Sequence, residues 1–208
     1  MLNELSFITT GLILGTTAGL SPGPLQTLVL SETLRHSRRE GIKVSFAPLL
    51  TDAPIIAITV LLLSKLSDFD WILGLISMLG AIFLAILAIE TIKGIRIEAA
   101  HQPLKPQSLL KAMITNLLNP HPYMFWFLVG APTFVKALEV SSFSAPLFIA
   151  GFYSGLLGIF IAIALLAGKF GSFLKGKSYA VVMRILGSLL LIFSMLFLKN
   201  GLAYLRII

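Results

Sequence analysis

The chain has 208 residues, of which 57% are hydrophobic and 12% charged, with 16 Lys and Arg against 9 Asp and Glu. With a mean hydropathy of +0.95, these proportions exclude a soluble domain, whose interior could not hide so much apolar side chain. The absence of cysteine excludes a disulfide framework, thiolate metal sites and CxxC redox chemistry. The net charge of +7 is scattered over short connections and is not interleaved with aromatics, which excludes a nucleic-acid surface.

Runs of about 20 apolar residues, enough to cross roughly 30 Å of hydrocarbon, recur along the chain and predict an all-α integral membrane protein with six transmembrane helices. The first span, Leu5 to about Leu34, is expected to be retained and not cleaved as a leader, because Glu4 and no Lys or Arg precede its apolar run. It is interrupted at Ser21-Pro22-Gly23-Pro24. Gly11, Gly15 and Gly19 form a small-xxx-small series in it, repeated by Gly151 and Gly155 in span five, which permits close helix approach within one chain or across a homodimer. Span two, Val44 to Leu63, carries Thr51, Asp52 and Pro54, and span three is Trp71 to Ile92. A connection from Lys93 to Lys111, with Pro103 and Pro106, separates the halves. Span four, Met113 to Val135, is interrupted at Asn119-Pro120-His121-Pro122; spans five and six are Ala145 to Ala167 and Tyr179 to Leu198. Between the last two, Gly171 to Ser178 (GSFLKGKS) fits the phosphate-loop pattern, but no strand precedes it and there is no room for a nucleotide fold. Its lysines are topology signals.

In three alternate connections and the first turns beside them lie 12 of the 16 basic residues: Arg35, Arg38, Arg39 and Lys43; Lys93, Arg96, Lys105 and Lys111; Lys169, Lys175, Lys177 and Arg184. By the positive-inside rule they face the cytoplasm, which puts both termini on the non-cytoplasmic side of the cytoplasmic (inner) membrane. Three spans lie on each side of the long loop, so the halves have opposite orientation. The chain is thus read as a single membrane domain, residues 1–208, with repeat one about 1–95, a cytoplasmic loop about 94–110 and repeat two about 109–208. The two interruptions correspond across the repeats: Pro22-Gly23-Pro24 and Pro120-His121-Pro122 lie 98 positions apart, each behind a polar residue. Helices 1 and 4 broken at matching places in a 3+3 inverted repeat are a pointer to a transporter binding site.

Each break frees carbonyls and amides, which is tolerable only where protein or a water-filled cavity covers them. The half-helix ends carry opposite partial charges, suited to a zwitterion. Counted from the flanking basic residues, both breaks lie near mid-membrane, roughly 12–16 Å of helix from Lys111 and Arg35. Asp52 lies at similar depth, roughly 13 Å beyond Lys43, and an acid there is a functional candidate by default because burying it costs at least about 2.5 kcal/mol. It binds a cationic group, takes a proton, or hydrogen-bonds into the breaks. His121 is a proton or substrate candidate; Asn116 and Asn119 either cap exposed amides or touch ligand. Glu32 and Glu90 are expected to form solvated interfacial pairs with Arg35 and Lys93. The preferred function class is a secondary transporter working by alternating access, with no cofactor and no resident metal. A cation or heavy-metal efflux carrier is the alternative, though Asp52 and His121 are few ligands for a divalent ion. A membrane-embedded enzyme or assembly factor ranks lower, for want of a nucleophile or ligand cluster.

The combination of SPGP at Ser21 to Pro24, RREG at Arg38 to Gly41, Asp52 in span two and NPHPYMFWFLVGAPTF at Asn119 to Phe134 resembles the lysine exporter (LysE/RhtB-type) family of amino-acid exporters. The resemblance covers nearly the whole chain. It implies export of an amino acid or related small metabolite, driven by the membrane potential or a proton gradient, with H+ as a candidate coupling ion. Two positions depart from the family pattern: Thr51 stands where a glycine precedes the aspartate, and His121, followed by Pro122, stands where a lysine follows Asn-Pro.

Overall fold

The computed structural model describes residues 2–62, 66–97, 106–171 and 177–206, and every regular element among them is helical. In chain order these are α1 (Leu2–Leu20), α2 (Pro24–Arg35), α3 (Arg38–Ser45), α4 (Ala47–Leu62), α5 (Leu66–Ile97), α6 (Ser108–Leu117) and α7 (Pro120–Phe125). A π-helical turn (Trp126–Gly130), α8 (Ala131–Val140), α9 (Ser144–Gly171) and α10 (Lys177–Tyr204) follow. Helix lets an apolar segment satisfy its own N–H and C=O groups where no water is at hand. Boundaries fall where the sequence removes a donor or supplies a cap. Pro24 and Pro120 stand in the first turns of α2 and α7, and the Ser37 hydroxyl accepts from the Glu40 amide at the start of α3.

Four segments are long and apolar enough to cross a bilayer: Asp70–Lys93, Pro120–Val140, Ser144–Gly171 and Lys177–Tyr204. A fifth is the pair Leu5–Leu20 and Pro24–Arg35, bent by 66° at the expected first break. The sequence predicts six. The difference lies in span two, where the described part of α4 has 16 residues, bordering residues 63–65 that lie outside the description, and Phe46 separates it from α3. The apolar segment that corresponds to span four is Pro120–Val140, and the residues before its break form the separate ten-residue helix α6. Residues 98–105 of the predicted 94–110 loop and 172–176 of the GSFLKGKS stretch lie outside the described residues, Lys105 and Lys175 among them, as does Lys65.

α1 runs parallel to α9, and the glycine series makes that contact possible. A Cβ on Gly11 would meet the carbonyl oxygen of Phe148, and one on Gly15 that of Phe152. From the opposite side, a Cβ on Gly155 would lie 2.6 Å from both the Leu12 carbonyl oxygen and the Thr16 amide nitrogen. The two small-xxx-small series therefore face each other within one chain. α5 and α10 pack antiparallel, with the Ser194 hydroxyl donating to the Ala81 carbonyl at 2.7 Å and Gly187 set against Ile92. The basic turn before α4 closes the end of the bundle: Arg38 donates to the Gly168 carbonyl at 3.1 Å, and Gly41 lies against Thr33 and Ala164.

Glu32 departs from the solvated pairing expected of it. It is 2% exposed, accepts from the Ser108 hydroxyl, and lies 3.8 Å from Lys111 and 3.6 Å from His36. Glu90 pairs with Arg35 at 3.0 Å and with Lys111 at 2.5 Å. A carboxylate leaving water is costly unless a charge and hydrogen bonds meet it, so Lys111 on α6 holds both Glu32 of α2 and Glu90 of α5. The cluster ties the far ends of α2 and α6, the helices that adjoin the two breaks.

Replacing Gly15 by leucine drives a side chain into the backbone of α9, and overpacking of this kind costs about 3 kcal/mol or more. Thermal unfolding in detergent is expected to show a large loss for Gly15→Leu and little change for Gly158→Leu, since a Cβ at Gly158 meets nothing within 4 Å.

Candidate functional site

The first break is a short extended link. Gly23 adopts φ −160° and ψ 176° between the end of α1 and Pro24, and no side chain caps the first turn of α2. Gln26 reaches back instead, its Nε2 donating to the Gly19 carbonyl at 3.0 Å, which relieves one of the acceptors that the end of α1 leaves open. A Cβ on Gly23 would find only the Ser21 carbonyl oxygen, at 3.9 Å, so the glycine leaves room beside the break.

The second break is satisfied from both sides. Asn119 is the N-cap of α7, its Oδ1 accepting from the His121 amide at 3.0 Å. The Tyr123 hydroxyl donates to the Leu117 carbonyl at 2.9 Å, filling an acceptor at the end of α6. The His121 side chain stays exposed, with its ring 6.1 Å from that of Phe197.

Asp52 lies between the breaks. It is 3% exposed, and three neutral donors converge on it: Asn116 Nδ2 at 3.1 Å and the Tyr153 hydroxyl at 3.0 Å, with Trp126 Nε1 at 3.3 Å. Asn116 Nδ2 also donates to Thr51 Oγ1 at 2.7 Å, while the Thr51 hydroxyl donates to the Ala47 carbonyl at 2.9 Å. A carboxylate offers about four acceptor sites, so these three donors, two on Oδ2 and one on Oδ1, leave about one free. Among the described residues no cationic side chain pairs with Asp52. Trp126 opens the π-helical turn, and its ring fills the place where a Cβ on Gly130 would stand. Extra winding of this sort re-aims side chains and is frequent at functional sites.

These features enclose a single cavity of about 320 Å³. Ser21, Pro22, Gly23 and Pro24 of the first break line it, as do Asn119, His121 and Pro122 of the second, with Asp52 and Asn116 between them. A family model, that of the LysE type translocator, matches residues 16–201, a stretch that contains every residue of this cavity. The chain belongs to the LysE type translocator family. It is accordingly a multi-pass membrane transporter. No curated protein and no solved structure matches the translocator.

The structure brings nine of the eleven sequence-selected residues of the translocator onto one cavity wall. Thr51 and Pro120 stand behind it, both buried, Thr51 as the acceptor for Asn116 and Pro120 in the first turn of α7. Sequence reasoning missed Gln26, Tyr123, Trp126 and Tyr153. The signal for the aromatics was present, since Trp and Tyr carry a polar tip that needs a partner inside an apolar span, but only folding shows which partner. Among the described residues no group of three or more His, Cys, Asp and Glu side chains comes together as a metal site.

Asn116→Ala removes a donor from Asp52 and from Thr51 at once, and a buried acceptor left unsatisfied costs about 1–3 kcal/mol. The loss is expected to shrink when Asn116→Ala is introduced into an Asp52→Ala background, measured as unfolding free energies in a double-mutant cycle. Equal losses in both backgrounds would mean that the Asn116–Asp52 bond contributes nothing.

Proposed function

We propose that the translocator is a secondary active transporter that exports an amino acid or a related small metabolite across the cytoplasmic membrane by alternating access. The observation that carries this reading is the shared cavity: two helix breaks from opposite halves of the sequence and one buried acid border the same space. Asp52 is the group that meets positive charge there, either the substrate ammonium or a coupling proton. Unwound backbone at the breaks and the uncapped start of α2 meet the carboxylate, as half-helix ends do in carriers with broken helices. Asn116 orients Asp52, Thr51 orients Asn116, and Asn119 fixes the turn from which His121 faces the cavity.

On this reading the chain is a single membrane domain of two inverted three-span repeats. Spans one and four are its broken helices, and α3 and α4 together complete span two. The basic connections face the cytoplasm, and both termini face away from it. Rocking of one half against the other opens the cavity to each side in turn.

Counterflow of radiolabelled amino acids into liposomes containing the purified protein tests the proposal, with labelled divalent cations as the competing cargo. Loss of a hydrogen bond to a charged group costs about 1.5–3 kcal/mol, so Asp52→Asn is expected to slow amino-acid counterflow tenfold or more. Undiminished counterflow in both Asp52→Asn and Asp52→Ala would remove Asp52 from the mechanism, and movement of cations alone would replace the cargo.

A further inference from the structure

The walls of the cavity differ sharply in chemistry. Its polar lining comes from Asp52 on α4, Asn116 on α6, and Asn119 and His121 at the second break. Its apolar lining comes from Phe125 and Trp126 beside them and from α9, which contributes Phe152, Leu156 and Phe160 at four-residue intervals, the spacing that places side chains on one helical face. Phe193 of α10 extends this apolar wall. The wall is held firmly: Phe152 stacks on Phe125 with centroids 5.0 Å apart and meets Trp126 edge-on at 5.5 Å. Tyr153, next in sequence to Phe152, bonds the acid of the polar wall at 3.0 Å, so α9 is fixed to both sides of the cavity.

Charge is distributed just as unevenly. Among the described residues that line the cavity, Asp52 is the only carboxylate and none is Lys or Arg. A ligand whose α-ammonium occupies Asp52 would therefore find no carboxylate for a second ammonium on its side chain and, His121 apart, no basic group for a second carboxylate. An unpaired charge against phenylalanine and leucine is strongly disfavoured, whereas an aliphatic or aromatic side chain gains from the same surface. The volume of about 320 Å³ lies at the lower end of small-ligand sites, fitting one small molecule.

From this two-faced cavity we infer that the transported class is amino acids with apolar side chains, and that Phe152, Leu156 and Phe160 of α9 are specificity-determining residues. The inference rests on the amino-acid transport proposed above and narrows it. The backbone ammonium and carboxylate lie toward Asp52 and the breaks, and the side chain lies along α9. Basic and acidic amino acids are rejected by the absence of a second charge partner, and the smallest ones gain least because they leave the apolar wall uncovered.

Wild-type protein in liposomes provides the test, with radiolabelled leucine and radiolabelled lysine offered in separate counterflow assays and unlabelled leucine, phenylalanine, lysine and glutamate as competitors. Leucine and phenylalanine are expected to compete at concentrations at least about tenfold below those of lysine and glutamate, the scale on which a pocket discriminates side chains. Phe160→Ala is expected to narrow that difference by weakening leucine, and the rise in melting temperature on adding leucine or lysine to wild-type protein in detergent gives the same ranking without a variant. Lysine or glutamate competing as well as leucine would overturn this inference while leaving amino-acid transport intact. Counterflow of no amino acid at all would overturn both. Unchanged discrimination in a folded Phe160→Ala protein would remove the α9 wall as its source.

Discussion

A bilayer supplies no water to its interior, so every amide, carbonyl and carboxylate that leaves a regular helix must find its partner within the protein. The architecture of this chain follows from that constraint. Two proline-rich breaks create the deficit, and nearby side chains meet it: Gln26 returns to the Gly19 carbonyl, Tyr123 to the Leu117 carbonyl, and Asn119 caps the helix that follows it. Asp52 is the extreme case. Its three donors come from α6, the π-helical turn and α9, so satisfying one carboxylate gathers three elements that are distant in sequence. The cavity is the space that remains once they are gathered.

The same constraint acts differently near the ends of the spans. Glu32 and Glu90 share Lys111, and Arg35 joins them, in a cluster where opposite charges meet directly. Among the described residues Asp52 has neutral donors only, so its charge is solvated locally and no cation there balances it. That contrast separates acids whose ion pairs hold helices together from one that lines the cavity.

Much of this was legible in the sequence because it depends on local chemistry. Proline placement marks both breaks, the glycine spacing marks the α1–α9 contact, and depth counting puts Asp52 level with the breaks. What was not legible depends on three-dimensional pairing. Glu32 is close in sequence to Arg35, which suggested a solvated pair, yet it is buried against Ser108 and Lys111, 76 and 79 positions along the chain. Trp126 and Tyr153 are ordinary members of apolar runs until Asp52 is seen between them. Span two looked continuous because hydropathy does not register the turn at Phe46 that separates α3 from α4. The chain's membership of the LysE type translocator family accords with the motifs around both breaks and Asp52.

The central claim is that the space between the breaks is where substrate sits. The chain has no cysteine, so Ser21→Cys places a unique thiol on the cavity wall. The rate at which a water-soluble maleimide labels that thiol, with and without saturating leucine, is the most direct measurement. Substrate in the cavity predicts clear protection by leucine, with no protection of a thiol introduced at Ser142, exposed in the link between α8 and α9. A Ser21→Cys protein that carries leucine yet is labelled equally fast in its presence would contradict the account.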